Sequence, residues 1–229
     1  MAPLALTDGG METTLLFHEG FELPCFAAFP LLGEARGRAA LRRYFEPFLA
    51  TAQERGLPFV LGTTTWRANP DWGTRLGYDD DALAAANAEA VVFARELAAG
   101  RPDVTINGVI GPRGDGYVAG GRMGADEAAA YHGRQIGVLR EAGVDRITAA
   151  TLSYPEEAIG VVQAAVAVGV PVVPAFTVTR SGVKVKLSIF TVISAACAGA
   201  AGKVVGAARS AAWSATAAKK FRMVLPFLA

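Results

Sequence analysis

Five times within its first 178 residues the chain repeats one unit. A short apolar run is closed by polar residues or glycines and, in four of the five cases, leads into a stretch with helical periodicity. The runs begin at Leu4, Phe59, Val104, Val144 and Val170. Strands separated by a helix-length crossover pair in parallel, and parallel sheets need helices over their faces. The spacing therefore predicts an α/β chain with a parallel sheet and helices outside. The clusters that close the runs are Asp8-Gly9-Gly10, Thr63 to Asn69, Gly111 to Tyr117, Thr151 to Tyr154, and Thr177. In such a fold they share one rim, where α/β folds keep their sites.

The helical stretches carry their own signals. Leu41, Tyr44, Phe45, Phe48, Leu49 and Ala52 make one apolar face and predict a helix over 39–53, stopped by Gly56 and Pro58. Asp79-Asp80-Asp81 opens a second helix that runs to about 99 and carries one polar residue, Asn87, on its apolar face. Asn87 either caps a neighbouring strand end or reaches the site. Asp126 caps a third helix, ending at Ala142-Gly143. Pro155 suits the first position of a fourth, Glu156 and Glu157 favour its dipole, and Gly169 ends it. Residues 17–32 and 66–73 read as loops.

Several rim residues invite a chemical reading. Asp8 follows the first strand, and Gly9 and Gly10 allow positive φ and close approach of a ligand. The alternative is a tight turn with a solvated carboxylate. The loop Trp66 to Gly73 holds two tryptophans, an arginine and an asparagine, which suits either binding or a packed aromatic loop. The glycine-rich loop 112–117 matches no phosphate-binding pattern. His132 falls mid-helix, away from the strand ends, and reads as a surface or packed histidine.

Charge divides the chain. Residues 1–179 hold 14 Lys/Arg and all 21 Asp/Glu, whereas residues 180–229 hold 8 Lys/Arg and no acid. The net charge of +1 points to no nucleic acid, and no apolar run is long enough to span a membrane. Two cysteines, Cys25 and Cys197, make no disulfide framework. No signal peptide is read, so a cytoplasmic location is expected.

Asp8-Gly9-Gly10-Met11-Glu12-Thr13, Gly62-Thr63-Thr64-Thr65-Trp66, Asn107-Gly108-Val109-Ile110-Gly111-Pro112 and Glu157-Ala158-Ile159 occur in that order. Together they resemble the homocysteine S-methyltransferase family. That barrel family includes betaine–homocysteine methyltransferase and the homocysteine domain of cobalamin-dependent methionine synthase. The resemblance covers residues 4–178. It implies a (β/α)8 TIM-type barrel, of which this chain holds about five β/α units. It also implies Zn2+ on three cysteine thiolates, holding the homocysteine sulfur as a thiolate that attacks a sulfonium, betaine or methylfolate/cobalamin methyl group to give methionine. Asp8, Gly9, Gly10, Thr63 and Trp66 are then the residues expected to contact the amino-acid substrate.

The family's zinc ligands sit in an Asn-Cys pair after strand six and a Gly-Gly-Cys-Cys motif after strand eight. Neither motif occurs here: Cys25 precedes the second strand and Cys197 lies in Ala-Ala-Cys-Ala-Gly. The family's glutamate at the end of strand four is also missing from Thr148 to Leu152. No catalytic residue and no metal ligand are assigned. Residues 1–179 read as the barrel portion, and 180–229 as an atypical basic, alanine-rich tail with no strand–turn–helix rhythm. Loss of every acid where the resemblance ends suggests a frame shift or truncation of the coding sequence, with a natural basic tail as the rival. Three readings stay open: a homocysteine methyltransferase-like enzyme acting on small molecules, an inactive remnant or small-molecule-binding module, and a basic-tailed interaction protein. An unclosed barrel also leaves open edges that invite a homo-oligomer.

Overall fold

Strands β1 (Leu6–Thr7), β2 (Phe59–Gly62), β3 (Val104–Ile110), β4 (Arg146–Leu152) and β5 (Val172–Arg180) pair in parallel in chain order in the computed structural model. The structure describes residues 4–116, 121–180 and 183–190. Between the strands lie α1 (Met11–Phe17), α2 (Ala35–Arg55), α3 (Pro70–Arg75), α4 (Asp80–Ala98), α5 (Ala125–Glu141) and α6 (Pro155–Ala167). Neighbouring parallel strands in strict sequence order, each joined by a helical crossover, are the arrangement of a barrel wall.

The pleat sorts the side chains. Phe59, Leu61, Ile106, Ile110, Ile147 and Leu152 are buried in the main core with Leu41, Phe45, Phe93, Ile136 and Val161 of the helices. The alternate positions Val60, Val109 and Thr148 face the other way and are half-buried. The helix layer is tight. A Cβ at Gly160 on α6 would lie 2.5 Å from the Ala125 carbonyl oxygen and 2.6 Å from the Ala129 nitrogen of α5, so only glycine fits there.

Several helix signals act as the sequence indicates. Gly56 ends α2 at φ 60°, and the Asp79 side chain accepts from the Ala82 N–H at 2.8 Å. Asp126 does not cap its helix: α5 starts at Ala125 behind Gly124, and Asp126 stands in the first turn. The segments read as loops hold short helices. The 3-10 turns Pro24–Phe26 and Phe29–Gly33 fall in or at the edge of 17–32, α3 begins within 66–73, and α1 ends at the start of the first of these segments. Asn69 caps α3, accepting from the Trp72 N–H at 3.3 Å, with Pro70 at its first position. Pieces this short have no apolar face long enough to show a period.

The largest difference lies beyond residue 179. β6 (Val183–Phe190) pairs antiparallel with β5, although the tail shows no strand–helix rhythm. The signal is period two instead: Val183, Val185, Leu187 and Ile189 alternate with Lys184, Lys186 and Ser188 after a Ser-Gly pair. Residues 191–229, with Cys197 and the alanine-rich stretch, lie outside the described residues. So does Tyr117.

Candidate functional site

At the C-terminal end of β1 the backbone turns through Gly10, φ 75°, into α1. Asp8 stands at that turn. Tyr44 reaches it from α2 and donates its hydroxyl proton to Asp8 Oδ2 at 2.9 Å. Thr7 lies next to the second oxygen, but its single proton has two acceptors: Val60 O at 3.0 Å and Asp8 Oδ1 at 3.4 Å. The shorter, long-range bond takes it. Oδ1 therefore keeps acceptor capacity. It lies beside the end of β2, 3.7 Å from where a Cβ on Gly62 would stand. A Cβ at Gly9 or Gly10 would meet nothing within 4 Å, so the space over this turn is open.

Burial dominates the electrostatics of this corner. It raises the Asp8 carboxyl above its ordinary range, against the hydrogen bonds from Tyr44 and its own amide, with the nearby Thr7 hydroxyl the weakest of the opposing groups. Glu12, in the first turn of α1, is raised by burial and further by Asp8, with its own amide and Arg67 opposing. The Tyr44 phenol is pushed far up, first by burial and then by Asp8, so it stays a donor at any working pH.

The end of β2 is built differently. Thr63 Oγ1 and Thr65 Oγ1 are 2.6 Å apart, Thr65 donates to Val109 O at 2.6 Å, and Thr63 accepts from the Val109 N–H at 3.0 Å. Thr63 thus donates to Thr65, and the two hydroxyls continue the ladder of β2 and β3 after its last backbone pair. Trp66 lies across the ends of β3 and β4. Its Nε1 donates to Thr151 Oγ1 at 3.1 Å, and a Cβ at Gly111 would come within 2.4 Å of its carbonyl oxygen. Thr151 has φ 61°, within a register shift between β4 and β5. The Arg67 guanidinium is sandwiched 4.0 Å from the ring centres of both Trp66 and Trp72, with Gly114 O at 3.3 Å and Asp115 at 3.8 Å.

Behind this closed side lies a buried polar pair. Glu157 Oε1 accepts from the Arg113 N–H at 2.8 Å and lies 3.0 Å from His132 Nε2. The Glu157 and His132 side chains are 1% and 0% exposed. Glu157 is in the first turn of α6, as its helix-dipole reading has it, but its carboxylate points inward and fixes the loop after β3. His132 is the packed histidine of the two readings. Asn87 caps no strand end: it donates to Ala68 O of the loop after β2 at 2.8 Å and to Leu83 O of its own helix at 2.9 Å, and accepts from Gln135 at 3.0 Å.

The expected site residues thus fall into two groups. Asp8, Gly9 and Gly10 line an open corner, while Thr63 and Trp66 are engaged with β3 and β4. Sequence reasoning misses Tyr44, Glu12 and the Glu157–His132 pair. Tyr44 could have been found: a tyrosine on an otherwise apolar helix face needs a partner for its hydroxyl.

A thiolate zinc centre does not fit the described residues. No group of three or more His, Cys, Asp or Glu able to hold a metal ion occurs among them. Cys25, in the first 3-10 turn, is the cysteine they include, and Cys197 lies outside them.

A family model described as homocysteine S-methyltransferase matches residues 5–208. The match runs past residue 179, through β6. Among solved structures, the metallated form of the homocysteine methyltransferase MmuM from Escherichia coli is 19% identical, covering 79% of this chain and 64% of that one with a TM-score of 0.61. Its oxidized form is also 19% identical, covering 79% and 63% at a TM-score of 0.62. Its apo form is 20% identical, covering 79% and 62% at 0.56. At this identity the likeness shows the fold: five parallel strands curled into part of a TIM-type barrel. The chain spans less than two thirds of the length of the E. coli protein. No curated protein sequence matches it.

Proposed function

The chain belongs to the homocysteine S-methyltransferase family, and on that premise we propose that it binds homocysteine at the Asp8 corner as the acceptor of a methyl group, with methionine as the product of transfer. The observation that carries this is Asp8 at the end of β1, one oxygen held by Tyr44 and the other with acceptor capacity beside open space. A half-buried carboxylate suits the α-ammonium of an amino acid, because a charge-assisted hydrogen bond at low dielectric is strong and directional. Gly9 and Gly10 leave room for the ligand's backbone atoms. Trp66 and Thr63 shape the wall on the β2 side.

Transfer itself needs more than binding. A thiol attacks a methyl donor only as its thiolate, and an unperturbed thiol is mostly protonated at neutral pH. A bound Zn2+ supplies that deprotonation in a thiolate site, but the described residues do not hold one, so no step is routed through a metal. The reading is thus a homocysteine-binding portion of a methyltransferase barrel, acting on small molecules in methionine biosynthesis in the cytoplasm. No helix of the described residues is long and apolar enough to cross a membrane.

Two measurements test it. Isothermal titration with L-homocysteine should show one saturable site. Incubation with homocysteine and a sulfonium methyl donor, with and without added Zn2+, followed by mass spectrometry for methionine, separates binding from transfer. Saturable binding with methionine at background is the expected result. Lack of binding would sink the reading, and zinc-dependent methionine would show that residues outside the described ones complete the site.

A further inference from the structure

Tyr44 stands on α2, 36 positions from Asp8 in sequence, and its ring is packed before its hydroxyl is used. It lies 4.9 Å from the Phe45 ring and 5.3 Å from the Phe48 ring, and the residue is 7% exposed. The hydroxyl therefore has a fixed origin, and its proton goes to Asp8 Oδ2 at 2.9 Å. A carboxylate on a turn beside two glycines would otherwise rotate about χ2, a broad torsion with two equivalent faces. The bond removes that freedom. It leaves Oδ1 toward the end of β2, where Thr7 has spent its proton on Val60 O. The charged and titratable groups acting on this carboxylate and its neighbour are Tyr44 from α2, Glu12 from α1 and Arg67 from the loop after β2.

From this geometry we infer that Tyr44 is a positioning and specificity-determining residue: it turns the Asp8 carboxylate so that Oδ1 selects ligands bearing a primary ammonium group. The inference rests on the homocysteine reading for the identity of the ligand, but not for the ammonium selection. The second carboxylate, Glu12, deepens the negative field and makes a des-amino analogue with its own carboxylate a poor competitor. Tyr44 touches no ligand in this arrangement; it acts through Asp8.

The test uses the full chain and its Tyr44→Phe variant, which keeps the ring packing and removes only the hydroxyl. Binding is followed by amide chemical-shift titration with four probes: L-homocysteine, its des-amino analogue 4-mercaptobutanoate, L-2-aminobutyrate and butyrate. The titration of the Asp8 carboxyl carbon is followed in both proteins. The wild-type chain should favour each amine over its des-amino partner. In Tyr44→Phe that preference should shrink by roughly tenfold or more, the size expected for a hydrogen bond to a charged group, while 4-mercaptobutanoate and butyrate bind as before. The Asp8 midpoint should move upward, since a donor to the charged form is gone. A purely structural tyrosine would weaken all four probes together. An equal loss for all probes, no loss for the amines, or an unmoved Asp8 midpoint would overturn the inference. Wild-type binding of 2-aminobutyrate with nothing gained from the thiol would instead overturn the homocysteine reading, leaving Tyr44 to be decided by the amine arm.

Discussion

The Asp8 corner and the Trp66 side lie on the same rim and look alike in sequence: each is a strand end followed by residues able to bind. The structure sets them apart. At Trp66 the polar groups are engaged with protein: Nε1 with Thr151, the Arg67 guanidinium between two indoles and on Gly114 O, and the Thr63 and Thr65 hydroxyls with β3. At Asp8 one oxygen is held and the other has room. Both regions contain buried polar atoms, so burial alone does not mark a site. Remaining hydrogen-bonding capacity beside open space does. The closed side should answer to perturbation with stability and the open corner with binding.

Glu157→Ala should give the largest stability effect on that scale. It strips a buried acceptor from the Arg113 N–H and from His132 and leaves a void, a loss of about 3 kcal/mol in a urea melt. A loss under about 1 kcal/mol would mean that the closed side is not held as described. Arg67→Met should come next, at about 1–2 kcal/mol, through loss of the guanidinium between Trp66 and Trp72.

Asp8→Asn should behave in the opposite way. The folded-state pKa of Asp8 is raised by burial, so the folded chain holds this proton more tightly than the unfolded chain. Its contribution to stability is present at low pH and is lost as pH rises from the unfolded value through the raised folded one. Thermal melts across that window should show the wild type losing stability with rising pH relative to Asp8→Asn. At neutral pH the variant should be at least as stable as the wild type. A variant clearly less stable there would place Asp8 among the structural polar groups. Arg134→Ala, which removes an exposed ion pair with Asp80, should be smallest, within about 0.5 kcal/mol.

Much of the frame was legible in the sequence because it follows from periodicity. The helices α2, α4, α5 and α6 rest on runs long enough to show a period, and the five strands on the regular recurrence of short apolar runs closed by polar residues or glycines. α1 and α3 were not, being seven and six residues long. β6 was hidden by expectation of another strand–helix unit, although its alternation is plain in Val183 to Ile189. Asp8 was legible as a strand-end acid. Tyr44 was absorbed into an apolar helix face, and Glu157 into a dipole argument, because sequence spacing gives no direction to a side chain that crosses from one element to another. The engaged state of Thr63 and Trp66 was equally out of reach, since it depends on β3 and β4, more than 40 residues away.

The most direct test is isothermal titration of L-homocysteine into the full chain and into Asp8→Asn at neutral pH, with thermal melts on the same samples. The predicted result is saturable binding by the wild type, weakened by roughly tenfold or more in the variant, with the melt unchanged or shifted upward. Equal affinity in the two proteins would contradict the assignment of the Asp8 corner as the site.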